Sequence, residues 1–406
     1  MRPFHLAAPL VGIGAFLASG CFESRVTTID GGRVLEDGHV VFPDTGPPPP
    51  PPRTDQLDLL VVMDDSSSLG EEHASFQAQI PRLLTALRTG DFDGDPETVG
   101  PDDFRPFDSV HYGVVTTDMG TGGFTIPTCD RSDFGQDGLL RTTSRGEPSE
   151  GCMPSYPRFL DFREPFDLER AAVDATCLAE VGIGGCGFEQ PLEAALKALS
   201  PSMATRGTAP DYEPPRFFRN TLGHGDRANE GFVRESSLLA VVIFSDEEDC
   251  SAADPELFNP SSRDYGSTDL GLRCWAHGDV GLHRISRYAD GLRQLRRNPA
   301  RLVYYPIVGI PPDLAPGGLA PDYERLVGDT DVRDHRLIEQ PDPAVPSRLT
   351  PSCDLPGRGL AFPPVRMLRL AEALDARGAR ASVGSICRAD LTPAFDRLLR
   401  LLGRDR

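Results

Sequence analysis

The 406-residue sequence is short of positive charge, has no long apolar run and sets no two cysteines at zinc-knuckle spacing. Each absence excludes something. Lys and Arg number 41 against 61 Asp and Glu, a formal net charge of −20, which repels nucleic-acid phosphates at long range. The apolar stretch at residues 6–17 is too short and too broken by Pro and Gly to span a bilayer in the mature chain. Without close cysteine pairs, and with only eight histidines, a structural zinc site is a poor reading. His111, His224, His277 and His283 fall in no Ser/His/Asp or metal-histidine spacing, and no nucleophile elbow is present. Residues 182–187 are glycine-rich but lack the Lys-Ser/Thr ending of a phosphate loop. The sequence therefore predicts a protein that is not an enzyme, and it contains no internal repeats.

What is present begins with an export signal. Arg2 supplies a short positive region, residues 6–17 an apolar one, and Ala18-Ser19-Gly20 places small residues directly before Cys21. That arrangement resembles the lipobox of bacterial lipoproteins, in which the cysteine is lipidated and becomes the new N-terminus; a plain secretory signal with an incidental cysteine is the alternative. Residue 22 is Phe rather than the Asp that commonly retains such lipoproteins in the inner membrane, which favours the outer membrane or cell surface. On this reading residues 1–20 are the signal peptide and residues 21–56 the lipidated Cys21 and a tether. The run Pro47 to Pro52 makes that tether extended, at roughly 3 Å per residue. Residues 57–406 form the domain.

Eight cysteines remain after Cys21: Cys129, Cys152, Cys177, Cys186, Cys250, Cys274, Cys353 and Cys387. An even number in an exported chain reads as a disulfide set. Proximity in sequence suggests Cys129–Cys152, Cys177–Cys186, Cys250–Cys274 and Cys353–Cys387.

From Leu57 the pattern becomes buried strands alternating with amphipathic helices. Apolar runs of strand length occupy residues 57–63, 112–115, 238–244 and 302–308, with a weaker one at 381–386. Phe76, Ile80, Leu83, Leu84 and Leu87 mark one face of a helix, and further helices are expected near 192–199, 285–295, 365–374 and 394–402. Near-continuous apolar strands between helices predict an α/β fold, a doubly wound, mostly parallel sheet with helices on both faces. The stretches 91–109, 119–157, 201–236 and 251–280 are polar and rich in Pro and Gly, and read as long surface insertions.

Two of the expected strands end in strongly polar residues, where open parallel sheets bind ligands. After residues 57–63 comes Asp64-Asp65-Ser66-Ser67-Ser68, and after residues 238–244 comes Ser245-Asp246-Glu247-Glu248-Asp249. Asp64, Ser66 and Ser68 can aim three oxygens at one point, and Asp246 can approach from the neighbouring strand. An oxygen-only set favours Mg²⁺, Ca²⁺ or Mn²⁺ over softer metals. The alternative is that Asp64, Ser66 and Ser68 merely cap the next helix and that Ser245 to Asp249 only start a solvated acidic one; Glu247, Glu248 and Asp249 themselves read as such a start.

Asp64-x-Ser66-x-Ser68 after a buried strand, followed by Ser245-Asp246 after another, resembles the metal ion-dependent adhesion site of von Willebrand factor A domains. The resemblance covers residues from about 57 to 402 and implies that Asp64, Ser66, Ser68 and Asp246 hold the ion. It departs at one element. Where the family usually supplies a Thr, this chain reads Gly184-Gly185-Cys186-Gly187-Phe188-Glu189-Gln190, and Glu189 is the candidate substitute. The function implied is a membrane-anchored adhesion module whose ion accepts a carboxylate from a protein or surface ligand. A metal-dependent hydrolase and a calcium-stabilised structural module are the alternatives. A second acidic stretch, Asp91 to Glu97 with Asp102, lacks EF-hand spacing and reads as a solvated loop. Asp118, after Thr116-Thr117, reads as a turn residue at the border of the site.

Overall fold

The computed structural model describes residues 54–404 apart from 96, 145–150, 164, 316, 317 and 319, together with two short strands nearer the start. The expected signal peptide and Cys21 lie outside the described residues. Within the expected tether, Arg33–Val34 and Val40–Val41 pair antiparallel, and the run Pro47 to Pro52, on which the extended reading rests, lies outside the described residues. Met1–Pro52 and Arg53–Arg406 are separate units.

Strand β1, Gln56–Met63, is buried over its last seven residues. It is hydrogen-bonded in parallel to β2, Ser109–Thr116, on one side and to β4, Leu238–Phe244, on the other. A strand flanked on both sides must satisfy its backbone within the sheet, which is why the apolar run is nearly continuous. The antiparallel β3, Leu160–Arg163, borders β2. Beyond β4 lies the parallel β5, Leu302–Val308, which pairs with two-residue strands β6, Arg380–Ala381, and β7, Gly384–Ser385. The result is a mixed, mostly parallel seven-stranded sheet in an α/β fold.

The strands feed alternate residues into two apolar clusters. Leu57, Leu59, Val61 and Met63 pack with residues of α1, Gly70–Gln77, α2, Ile80–Thr89, α3, Leu168–Ala179, and a C-terminal helix at Thr392–Gly403. Leu60 and Val62 pack with α4, Pro191–Leu199, α5, Ile285–Gln294, and α6, Val365–Asp375. Among the described residues no helix is long and apolar enough to cross a membrane.

Four expectations need correction. The helix expected through residues 76–87 is two helices, because Pro81 lacks an N–H to donate and stands in the first turn of a new one. Strand β3 and helix α3 were not foreseen. Asp167 caps α3 through its carboxylate, which accepts from Arg170 N at 3.1 Å.

The long polar stretches are also not mere surface. Leu140 and Phe232 lie so close over β2 that a Cβ on Gly113 would meet them at 2.7 and 2.8 Å. Ile126, Cys129, Leu257, Phe258 and Tyr265 build a third apolar cluster with Cys186, Phe188 and Cys250.

All eight cysteines are paired, but two of the expected pairs are exchanged: Cys129 bonds Cys186 and Cys152 bonds Cys177. Cys250–Cys274 and Cys353–Cys387 stand as expected. Proximity failed because Cys177 sits within α3, buried in the first apolar cluster with Cys152 packed against it, whereas Cys186 and Cys129 lie together in the third. The glycine-rich turn after α3 lies on the 119–133 loop, where Gly187 N donates to Thr128 O at 2.9 Å. Peptide mapping without reduction should recover Cys129 linked to Cys186; recovery of Cys129 linked to Cys152 would reject this loop packing.

Candidate metal site

Strand β1 continues into Asp64, whose N–H donates to Phe244 O of β4 at 3.0 Å. The chain leaves β1 for β2 on one side and later returns to β4 on the other, so the ends of β1 and β4 form a topological switch point. Diverging crossovers leave a crevice there, and the polar residues fill it.

Asp64 is fully buried. Its Oδ1 accepts from Ser66 N at 2.8 Å, bending the chain so that Ser66 and Ser68 follow on the same side. Its Oδ2 accepts from Ser245 Oγ at 2.7 Å. Ser66 Oγ and Ser68 Oγ share a hydrogen bond of 2.9 Å, and Ser68 Oγ donates to Asp246 Oδ1 at 3.2 Å. Asp64, Ser66, Ser68 and Asp246 therefore belong to one connected polar cluster. Neither Ser66 nor Leu69, the residues at the starts of the two helical segments that follow, makes a side-chain capping bond. The capping alternative thus lacks its hydrogen bond.

Glu189 is buried beside them. Burial first, and then the charges of Asp64, Glu247 and Asp246, hold its carboxyl well above the usual carboxylate range. Asp246 is raised in the same way, by burial and then by Asp64 and Glu247. Glu247 is pushed up to about 8 by burial and by Asp64. Among the described residues no Lys or Arg pairs with Asp64, Glu189, Asp246 or Glu247. The adjoining His73 does not supply the charge. Its Nε2 lies 2.7 Å from Asp64 O, and burial lowers its pKa.

The loop carrying Glu189 is fastened by Asp65. Asp65 O accepts from Gly185 N at 2.7 Å, and Asp65 Oδ2 accepts from Gln136 Nε2 at 2.5 Å. A Cβ at residue 185 would meet Asp65 Oδ1 at 2.2 Å, so any larger residue there must displace the Asp65 carboxylate from its place beside the loop.

Two participants were missed from the sequence. Thr117 follows β2 and bridges the site by backbone bonds, from Thr117 N to Met63 O at 3.2 Å and from Gln190 N to Thr117 O at 3.0 Å. Its hydroxyl is buried and has no hydrogen-bond partner among the described residues. Its place at a strand end level with Asp64 was the available signal.

Glu247 is the other, and here an expectation is corrected: residues 247–249 do not start a solvated helix. Asp249 is fully buried and accepts from Leu192 N and Arg366 Nε. Glu248 accepts from Arg366 N and Asp249 N. Asp118 is a turn residue as expected, with its Oδ1 accepting from Gly120 N at 3.0 Å.

The second acidic stretch does gather Asp91, Asp93 and Asp103, whose oxygens lie within 4.8 Å of one another. Their carboxylates are taken up by the loop's own N–H groups, at Gly94, Asp95, Phe92 and Gly100. That accounts for the geometry without an ion.

Oxygen donors only, buried and mutually repelling, with no protein cation to balance them, suit a hard divalent ion. They also predict a pH response. A group whose folded pKa is raised contributes stability that is fully present below its unfolded pKa and lost as pH rises through the folded value. For Glu247 that window runs from 4.5 to about 8, and for Glu72, also raised by burial, from 4.5 to about 7. In EDTA the thermal midpoint should fall between pH 5 and pH 8, a tenfold change in proton affinity being worth about 1.4 kcal/mol. Divalent cation should flatten that slope. A midpoint that rises steadily over the same range would show that these carboxylates are not strained.

No family model matches the chain, and no curated protein or solved structure does so either.

Proposed function

We propose that this protein is a lipid-anchored, von Willebrand factor A-like binding module at the cell envelope. It recognises a protein or surface ligand through one divalent cation. Asp64, Ser66, Ser68 and Asp246 hold the ion, and Glu189 stands where that family usually has Thr. The domain is then doubly wound, with helices covering both faces of the sheet. The observation that carries the reading is the linked cluster of Asp64, Ser66, Ser68 and Asp246 at the switch point of the sheet. Ions of this kind bind through several oxygens and keep a position for an outside ligand only where the protein leaves one. The carboxylate of a partner is the ligand such a position would take.

A second reading is favoured by one specific feature, the added negative charge of Glu189 and Glu247 beside the cluster. Two further carboxylates lower the ion's demand for an external acid and suit Ca²⁺ in a structural role. Calorimetric titration of Ca²⁺, Mg²⁺ and Mn²⁺ into the metal-free protein tests both readings. One ion bound per chain is expected. Absence of heat at millimolar metal would remove the cation from either reading. Binding that raises the thermal midpoint, but brings no partner from envelope extracts that EDTA then releases, would select the structural role.

A further inference from the structure

Beside the polar cluster lies a cavity of about 200 Å³. Its walls include Phe188, Trp275 and Phe362 together with Glu247 and Glu248. It is joined to the site by backbone and sequence: Phe362 N donates to Asp246 O at 2.8 Å, and Phe188 precedes Glu189. With a water occupying about 30 Å³, the volume accommodates one long side chain rather than a cofactor.

The state of each wall residue decides what fits. Glu248 is occupied, since it accepts from Arg366 N and Asp249 N. Arg348, the cationic residue of the lining, is committed to Asp342 through Nε at 3.0 Å and Nη2 at 2.8 Å. The carboxylate of Glu247 has no hydrogen bond and no ion pair among the described residues. Trp275 is 38% exposed, an unusual position for so large a ring, and stacks on no other aromatic among the described residues. A buried carboxyl among three aromatic rings, with no ion pair among the described residues, is complementary to a cation on an apolar stem, whose arrival favours the ionised form. Charge pairing and cation–π attraction then act on the same group.

We propose that this cavity is a second recognition pocket, which takes the side chain of a Lys or Arg on the protein partner. The inference rests on the reading that this rim receives a protein, but it does not require the cation itself. Partner choice then depends on a basic residue as well as on whatever the ion binds.

The test uses the full chain and its only tryptophan as reporter. Trp275 emission is followed while Ac-Gly-Lys-Gly-NH₂ or Ac-Gly-Arg-Gly-NH₂ is titrated in, with Ac-Gly-Nle-Gly-NH₂ and Ac-Gly-Glu-Gly-NH₂ as controls. Each titration is run in Ca²⁺ and in EDTA at physiological salt. A saturable change with the two basic peptides, absent with the controls and weakened about tenfold in Glu247→Gln, is expected. An equal response to lysine and norleucine, or no saturable response to either basic peptide, overturns the pocket. Because the peptide comparison is made within the wild type, misfolding of the variant cannot mimic either result. Failure of the cation reading registers separately, as absent heat on Ca²⁺ titration.

Discussion

Asp64→Asn should abolish cation binding while leaving a protein that is folded, and more stable without metal than the wild type. The substituted amide keeps an oxygen to accept from Ser66 N, and its NH2, in place of Oδ2, can donate to Ser245 Oγ instead of accepting from it, so the bend after β1 persists. What is lost is the charge. In the wild type that charge is fully buried and raises the carboxyl pKa of Glu189, Asp246 and Glu247. Removing it relieves repulsion in the metal-free state and takes away a charged ligand in the loaded one. Loss of a contact in the shell outside the ligands already costs about 10–100-fold in affinity, so loss at least that large is expected here.

Calorimetry with Ca²⁺ and thermal unfolding in EDTA at pH 8 read the two effects independently. A lower metal-free midpoint would mean that Asp64 is a structural acceptor and not a strained ligand. Unchanged affinity would move the ion away from the switch point. A site that costs stability when empty is the usual signature of residues kept for function.

The strands bearing the site were legible because a parallel sheet buries its interior strands on both faces and so writes them as apolar runs, as in Leu238–Phe244. Edge strands carry no such mark. Leu160–Arg163 alternates buried and exposed over only four residues, too short a pattern to stand out from the polar stretch before it. Asp64, Ser66, Ser68 and Asp246 were legible as polar residues at strand ends, and all four lie in the cluster. Thr117 and Glu247 also stand just beyond strand ends, but that they join the cluster depends on the register of β1 with β2 and β4. Sequence cannot state that register when every strand is apolar.

The disulfides show the same limit: pairing follows the path of the chain around α3, and the glycine-rich turn reaches Cys129 only through loop–loop bonds such as Gly187 N to Thr128 O. The insertions misled for a related reason. Their few apolar residues, such as Leu140 and Phe232, are diluted by turn residues, yet they are the ones that cover β2.

At the opposite end of β1, Asp58→Ala should cost more stability than any substitution at the metal site and leave cation affinity unchanged. Asp58 is an acid inside an apolar strand and is fully buried. Its carboxylate accepts from Arg234 Nε and Arg234 N at 2.7 Å each and from Ser237 Oγ, with Arg296 Nη2 at 3.6 Å and His111 Nδ1 at 3.6 Å. Arg234 also donates to Ser109 Oγ at 2.6 Å and Leu57 O at 2.7 Å, tying the start of β2 and the segment before β4 to β1.

Arg296 is almost wholly buried, and burial pulls its pKa down to about 10. Truncating Asp58 leaves two guanidinium groups without their carboxylate, a loss of about 3–5 kcal/mol. The six residues from Asp58 to Asp64 span roughly 20 Å of strand, beyond the reach of any direct effect on the ion. Chemical denaturation gives the stability, and calorimetry on the folded fraction gives the affinity. Replacing Asp58 and Arg296 together should cost less than the sum of the single changes, because the second removes a charge that the first had orphaned. A loss below about 1 kcal/mol for Asp58→Ala would mean that water replaces the carboxylate, and that the start of the sheet is held by its apolar clusters alone.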